Sequence, residues 1–180
     1  MHKKLIGLKK YWGFILGGLV FIIVVFQFTA WHFNSQFKVL YSLDKRQNDQ
    51  EIVRLINSAD KYAYFAVYYF SLHDIADALI RAKKRGVVVA GITDREGAAG
   101  NNKSVVESLR AADIPVETQK HEDGIMHMKV LVTDKAYASG SYNWTQAATG
   151  SNDEVLEIGT NDSVRRQYMS IVKKVLSANQ

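Results

Sequence analysis

The feature that most constrains this chain lies near its start: the 27 residues from Tyr11 to Phe37 carry no formal charge, and Phe14 to Phe28 is almost wholly Ile, Leu, Val, Phe and Gly. A bilayer's hydrocarbon core needs roughly 20 apolar residues of helix, so this run is long enough to span one. Tyr11 and Trp12 at one end, and Trp31 and His32 at the other, fall where amphipathic rings favour the two interfaces. Lys3, Lys4, Lys9 and Lys10 precede the run and predict a cytoplasmic N-terminus, with the globular part periplasmic or otherwise extracytoplasmic. A signal peptide shares the basic start and apolar middle but ends in small residues at alternate positions, a pattern that Phe28-Thr29-Ala30 fits poorly. Secretion after cleavage is therefore the second reading, and a mitochondrial outer-membrane anchor with a cytosolic domain is the third. The segments are then a basic flank over 1–10, a transmembrane anchor over 11–33, a linker and first strand over 34–46, and one domain over 47–180.

The net charge of +5 looks like a signal for a polyanionic partner until it is divided along the chain. The four leading lysines account for all but one of those charges, so any attraction to an anion must come from a local patch. With no cysteine, thiolate zinc sites, iron–sulfur clusters and thiol nucleophiles are excluded.

Beyond the anchor, Ile52, Leu55, Ile56 and Ala59 recur at helical spacing within 47–60, after Asn48 and Asp49 as possible caps. Tyr62 to Phe70 is an aromatic and aliphatic run of strand length. Ser71, with Asp74 three residues later, predicts the start of a helix that ends at Gly86, and Val87 to Thr93 follows as a buried strand. That order implies a right-handed crossover and a parallel pair. A Gly- and Asn-rich loop, Arg95 to Asn102, leads to a helix over Lys103 to Ala112 and a short strand near Val116. Strands are expected at Met126–Thr133, Ala136–Ser141 and Glu154–Thr160, then a final helix capped by Asn161 or Asp162 and ending near Ala178. The expected fold class is α/β: a mixed, mainly parallel sheet with helices on both faces.

Chemistry concentrates in His127-Met128-Lys129-Val130-Leu131-Val132-Thr133-Asp134, then Gly140-Ser141-Tyr142-Asn143, then Asn152-Asp153-Glu154. Side chains two apart on a strand share a face, so His127 and Lys129 project together while Met128, Val130 and Val132 enter the core. Histidine's ordinary pKa of about 6.5 leaves a neutral, nucleophilic imidazole near pH 7. It needs a carboxylate to fix its tautomer, and Glu154 is the candidate. Lys129, Ser141 and Asn143 offer donors for phosphate oxygens, and Gly140 permits close backbone approach. Arg95, after the Val87–Thr93 strand, is a further phosphate-contact candidate, because ligands gather at the carboxyl ends of parallel strands.

The pattern H-x-K-x4-D followed by G-S-x-N resembles the signature of the phospholipase D superfamily, and Asn152 with Glu154 resembles its trailing acidic element. The resemblance extends more loosely over the soluble domain, which reads as phospholipase D-like and catalytic. It implies a phosphodiesterase in which His127 forms a phosphohistidine, Lys129 and Asn143 hold the phosphate, and Asp134 is more a structural partner than a proton carrier. It implies no metal and no cofactor. This sequence carries one motif where most members carry two; small bacterial nucleases and mitochondrial-surface relatives also have one and build the site across a homodimer. The cysteine-rich zinc module of some animal relatives is missing, which favours the bacterial nuclease-like reading.

Blander readings weigh against single residues. A lone strand His is more often structural than catalytic, and only its company raises His127 above that. Asp134-Lys135 is also ordinary turn chemistry. Arg81, Lys83, Lys84 and Arg85 read as the solvated end of a helix. His73 and His121 have no informative spacing, and the scatter of Asp153, Glu154, Glu157 and Asp162 does not predict a cation site. The expected function is a membrane-anchored nuclease of low sequence specificity with nucleic acid as substrate. The alternatives are the same chemistry on phospholipid head groups and a non-catalytic phosphate-binding module.

Overall fold

The computed structural model describes residues 11–34, 37–120 and 123–180. The four leading lysines and His121 lie outside the described residues, and Trp31 and His32 are described by backbone alone. Two units are distinct, 1–36 and 37–180. In the first, helix α1 runs Trp12–Asn34, a position from the span expected. At 1.5 Å per residue it is roughly 35 Å long, and it is apolar enough to cross a membrane.

The second unit is built on one seven-stranded sheet: β1 (Phe37–Tyr41), β2 (Tyr62–Val67), β3 (Val88–Thr93), β4 (Val116–Thr118), β5 (Lys129–Thr133), β6 (Tyr137–Gly140) and β7 (Val155–Gly159). Their order across the sheet is β1-β7-β6-β5-β2-β3-β4. The expected parallel pair is β2 with β3, and β4 extends it. The other four pairings are antiparallel, so the sheet is mixed but not mainly parallel. Only one of the four is local: the Asp134-Lys135 turn sends β5 straight back as β6, whereas β6–β7, β2–β5 and β1–β7 join strands separated by long stretches of chain, so their direction is set by the path of the chain and not by a tight turn.

Helices cover both faces. On one side lie α3 (Asn48–Ser58), α4 (His73–Lys84) and α5 (Lys103–Ala111), whose Ile52, Ile56, Ile75, Leu79, Val105 and Leu109 pack on Phe65, Leu131 and Leu156. On the other, α7 (Asp162–Ser177) sets Val172 and Leu176 against Ala66, Ile92, Val130 and Val132. Two short helices, α2 (Ser42–Lys45) and α6 (Gln146–Gly150), bracket the site described below.

Helix ends separate local from tertiary signals. At the end of α4, Gly86 takes φ +89° while its N–H donates to the Lys83 carbonyl and Val87 N–H to that of Ala82, the paired bonds of a glycine stop. Asn161 caps α7 by accepting from Val164 N–H, as expected. Ser71 does not cap α4. Helix α4 starts at His73 because the backbone N–H groups of Ser71 and Leu72 both donate to the Trp144 carbonyl, a tertiary bond no local pattern reveals. Neither Asn48 nor Asp49 caps α3, which follows Gln47 with no side-chain cap bond. In the basic run, Arg85 turns inward and donates to the carbonyls of Ile56, Asn57 and Ala59 at the end of α3.

Candidate active site

One end of the sheet gathers the ends of β2, β3 and β6 and the starts of β5 and β7. The alternation expected of the His127 segment is realised: Met126, Met128, Val130 and Val132 pack toward α7, while Leu131 enters the opposite core. The regular strand begins only at Lys129, later than expected. Before it, Met126 N–H is taken by side chains, Asp94 Oδ2 at 2.8 Å and Gln119 Oε1 at 3.2 Å, so the ladder gives way to side-chain anchoring. This leaves His127 exposed at the sheet end.

Lys129 is 7% exposed, and its ammonium donates to the His127 carbonyl at 2.9 Å. Burial pushes this ammonium below the ordinary lysine range, and the Glu154 carboxylate pulls the other way. Glu154, 9% exposed, is the negative pole of the site. Its Oε2 accepts from Ser141 Oγ at 2.5 Å, its Oε1 from Asn152 Nδ2 at 3.3 Å, and its backbone N–H donates to Ser42 Oγ at 3.0 Å.

Glycine and aromatic side chains set these positions. Gly140, at φ +150°, lies so close to β7 that a Cβ there would stand 2.1 Å from the Val155 carbonyl oxygen. That approach lets Ser141 N–H donate to the same carbonyl and Ser141 Oγ accept from Val155 N–H. Tyr142 and Trp144 are fully buried, Trp144 edge-on to Phe70 with centroids 4.7 Å apart, so Asn143 between them is held at the rim. Its Oδ1 accepts from Tyr69 N–H at 3.3 Å, which leaves its amide hydrogens as donors.

The expected residues are therefore only partly one cluster. His127, Lys129, Ser141, Asn143 and Glu154 share the sheet end. Ser141, expected to donate to phosphate, gives its one proton to Glu154 instead. Glu154, expected on the second nitrogen of His127, is engaged by Ser141 and Asn152, and the imidazole's contact among the described residues is the Tyr68 ring, centroids 4.7 Å apart. Asp134 stands at the far end of β5, seven extended residues or roughly 23 Å from His127. There it accepts from the N–H groups of Asp60 and Lys61 at 3.0 and 3.1 Å and faces Lys135, tying the start of β2 to the β5–β6 turn. Arg95 is exposed in the loop after β3 and has no hydrogen bond to the site among the described residues. His73 opens α4 on the surface. Asp153, Glu157 and Asp162 take separate partners, Tyr41, Tyr137 and the Arg165–Arg166 pair.

Sequence reasoning missed Tyr68, Asp94, Glu96 and Ser42. The signal for Tyr68 was the aromatic triplet Tyr68-Tyr69-Phe70 closing the predicted strand, but the register that sets it beside His127, with Tyr68 N–H donating to the Met128 carbonyl, is a tertiary fact.

A family model described as cardiolipin synthase, PLD-like domain, matches residues 52–176, which takes in every element from α3 almost to the end of α7. The chain belongs to the phospholipase D-like family. It is 34% identical over 119 residues to a phospholipase D of Rickettsia conorii, covering 66% of this chain and 58% of that protein. It is 32% identical over 114 residues to the mitochondrial cardiolipin hydrolase of Danio rerio, covering 63% and 50%. The chain thus matches little more than half the length of these curated relatives. Among solved structures, the phospholipase D family member Nuc of Salmonella typhimurium superposes with a TM-score of 0.73 at 26% identity, covering 80% of this chain and 95% of that one. NucT of Helicobacter pylori gives 0.69 at 27% identity, covering 79% and 97%.

Proposed function

We propose that this chain is a membrane-anchored phosphodiesterase that needs no metal and cleaves nucleic acid with little sequence preference, as a homodimer with a shared site. The observation that carries the reading is the exposed His127 imidazole beside a buried Lys129 ammonium tied to the His127 backbone, with Asn143 donors at the rim. An exposed imidazole can reach phosphorus, and a desolvated cation acts most strongly on the charge that develops on phosphate oxygens in the transition state.

The reaction is a double displacement. An imidazole nitrogen of His127 bonds to phosphorus as the bond to the leaving oxygen breaks, and the partner subunit's His127 gives that oxygen its proton. Water then attacks phosphorus, passes its proton to the partner subunit's His127, and the phosphorus–nitrogen bond breaks. Lys129 and Asn143 hold the phosphate, Glu154 is the counter-charge of Lys129, and Ser141 fixes Glu154. Asp134 anchors the strands. Arg95 reaches the substrate's neighbouring phosphate.

Nucleic acid is placed first because Nuc and NucT are solved relatives that this chain covers almost end to end. Phospholipid is the second reading, favoured by the names of the curated relatives and by α1, which we propose as an uncleaved anchor with its N-terminus cytoplasmic. The deciding experiment presents the purified full chain in detergent, with chelator, to single-stranded DNA, duplex DNA, RNA, and vesicles of cardiolipin or phosphatidylcholine. Cleavage of nucleic acid in chelator supports the first reading. Turnover of lipid alone reverses the order, and binding without turnover of any substrate makes the chain a phosphate-binding module.

A further inference from the structure

We infer that Tyr68, locked by the loop over residues 94–97, is a positioning residue for both His127 and Lys129; the inference rests on His127 being the nucleophile. Its ring lies 4.7 Å from the His127 ring, and the Lys129 ammonium stands over the same ring at 5.1 Å from its centroid. One side chain thus touches both groups on which the chemistry depends. A lysine over a tyrosine face is held by the ring quadrupole, and the contact strengthens away from water.

Tyr68 is itself held at both ends, by the last residue of β3 and the loop that follows it. Its hydroxyl donates to Glu96 Oε2 at 2.8 Å, which Tyr69 also meets at 3.3 Å. At the other end, Thr93 Oγ1 donates to the Tyr68 carbonyl at 3.0 Å, and a Cβ on Gly97 would lie 1.8 Å from that oxygen. Only a glycine lets the loop close so tightly on the backbone of residue 68. The buried Asp94 completes the unit. One of its oxygens accepts from Glu96 N–H at 3.0 Å and the other from Met126 N–H at 2.8 Å. The loop that grips Tyr68 and the segment that carries His127 are therefore fastened to one carboxylate. Ordinary core packing explains neither the phenol aimed at a rim carboxylate nor the convergence of these bonds on the residue under the imidazole.

Tyr68→Leu removes the ring. Tyr68→Phe removes the hydroxyl and Glu96→Leu its acceptor, and each leaves the ring of residue 68 in place. The assay uses the full chain in detergent micelles with bis(p-nitrophenyl) phosphate, and reads kcat and KM together with the proton signals of the His127 ring in histidine-labelled protein. Because misplacing a reacting group by about 1 Å costs roughly a hundredfold, Tyr68→Leu is expected to lower kcat about 30- to 100-fold. Tyr68→Phe and Glu96→Leu should each lower kcat about fivefold with KM within about twofold, and the double variant should fall well short of the product of the two, since both break the Tyr68–Glu96 bond. The His127 ring signals should move in Tyr68→Leu and broaden in the two lock variants. If kcat in these three variants stays within about twofold of wild type while His127→Ala is inactive, or if the two lock variants add fully, the positioning role is overturned. An inactive wild type, or an active His127→Ala, instead overturns the function itself and this inference with it.

Discussion

The ammonium of Lys129 is bonded to the backbone carbonyl of His127 at 2.9 Å, so the cation and the imidazole belong to one mechanical unit three residues long. The segment leading into β5 supplies the geometry: the His127 carbonyl lies within reach of a lysine stem folded back along the chain. The bond gives the buried Lys129 ammonium a partner where, among the described residues, no carboxylate is in ion-pair contact with it.

Replacing that cation tests the unit. Lys129→Ala is expected to lower kcat by at least about a hundredfold, as for other groups that stabilise transition-state charge, and Lys129→Arg should not restore it, because a planar fork does not repeat the single bond to the His127 carbonyl. Steady-state kinetics on variants with unchanged circular dichroism check this.

The pH profile carries a sign. Burial lowers the Lys129 pKa, so the alkaline limb, where Lys129 discharges, should fall below the ordinary lysine range. Glu154 opposes that shift, so Glu154→Gln lowers the Lys129 pKa further and should move the limb to still lower pH. A rate profile from pH 6 to about 11 on both proteins decides it, and a limb moving upward in the variant contradicts the charge coupling.

Asp134 should matter to stability and not to turnover. Burial raises its pKa, but the N–H groups of Lys61 and Asp60, with Lys135, outweigh burial and hold the carboxyl below its usual range. A folded-state pKa below the unfolded one gives stability that is present above about pH 4 and lost as pH falls through the folded value. Asp134→Ala should therefore cost about 2 kcal/mol near pH 7, and distinctly less at pH 2 to 3, with kcat unchanged below its melting range. Urea unfolding at the two pH values measures it.

Gly140 is the point where the sheet and the site meet. A Cβ 2.1 Å from a backbone oxygen cannot be relieved by a side-chain rotation, so Gly140→Ala must part β6 from β7. A loss of at least about 2 kcal/mol is expected, and because the Ser141 bonds to Val155 and Glu154 go with it, activity should fall even in the folded fraction. Thermal unfolding and specific activity of the folded protein read the two effects separately.

Much of this was legible in the sequence because its signals were local. The period-2 alternation of Met128, Val130 and Val132 named the face of β5 that packs toward α7, and Gly86 and Asn161 marked helix ends through their own backbone chemistry. What stayed hidden depends on distant partners. The Ser71 position is decided by the Trp144 carbonyl, the direction of most strand pairings by chain returns whose order no periodicity encodes, and the partner of Glu154 by a side chain 13 residues away. Tyr68 was concealed for the same reason. In a strand dense with aromatics, nothing but the β2–β5 register distinguishes the ring that lies against His127 from those that fill the core.

The proposed reaction turns on a covalent bond between His127 and phosphorus. The most direct measurement is rapid acid-free denaturation of the full chain during turnover of a phosphate-labelled oligonucleotide, followed by peptide mapping. An acid-labile, base-stable phosphoramidate that still carries the labelled nucleotide ester is expected on the peptide containing His127, absent from His127→Ala, which should also be inactive. Turnover by wild type with no such adduct at any quench time, or turnover retained by His127→Ala, would contradict it.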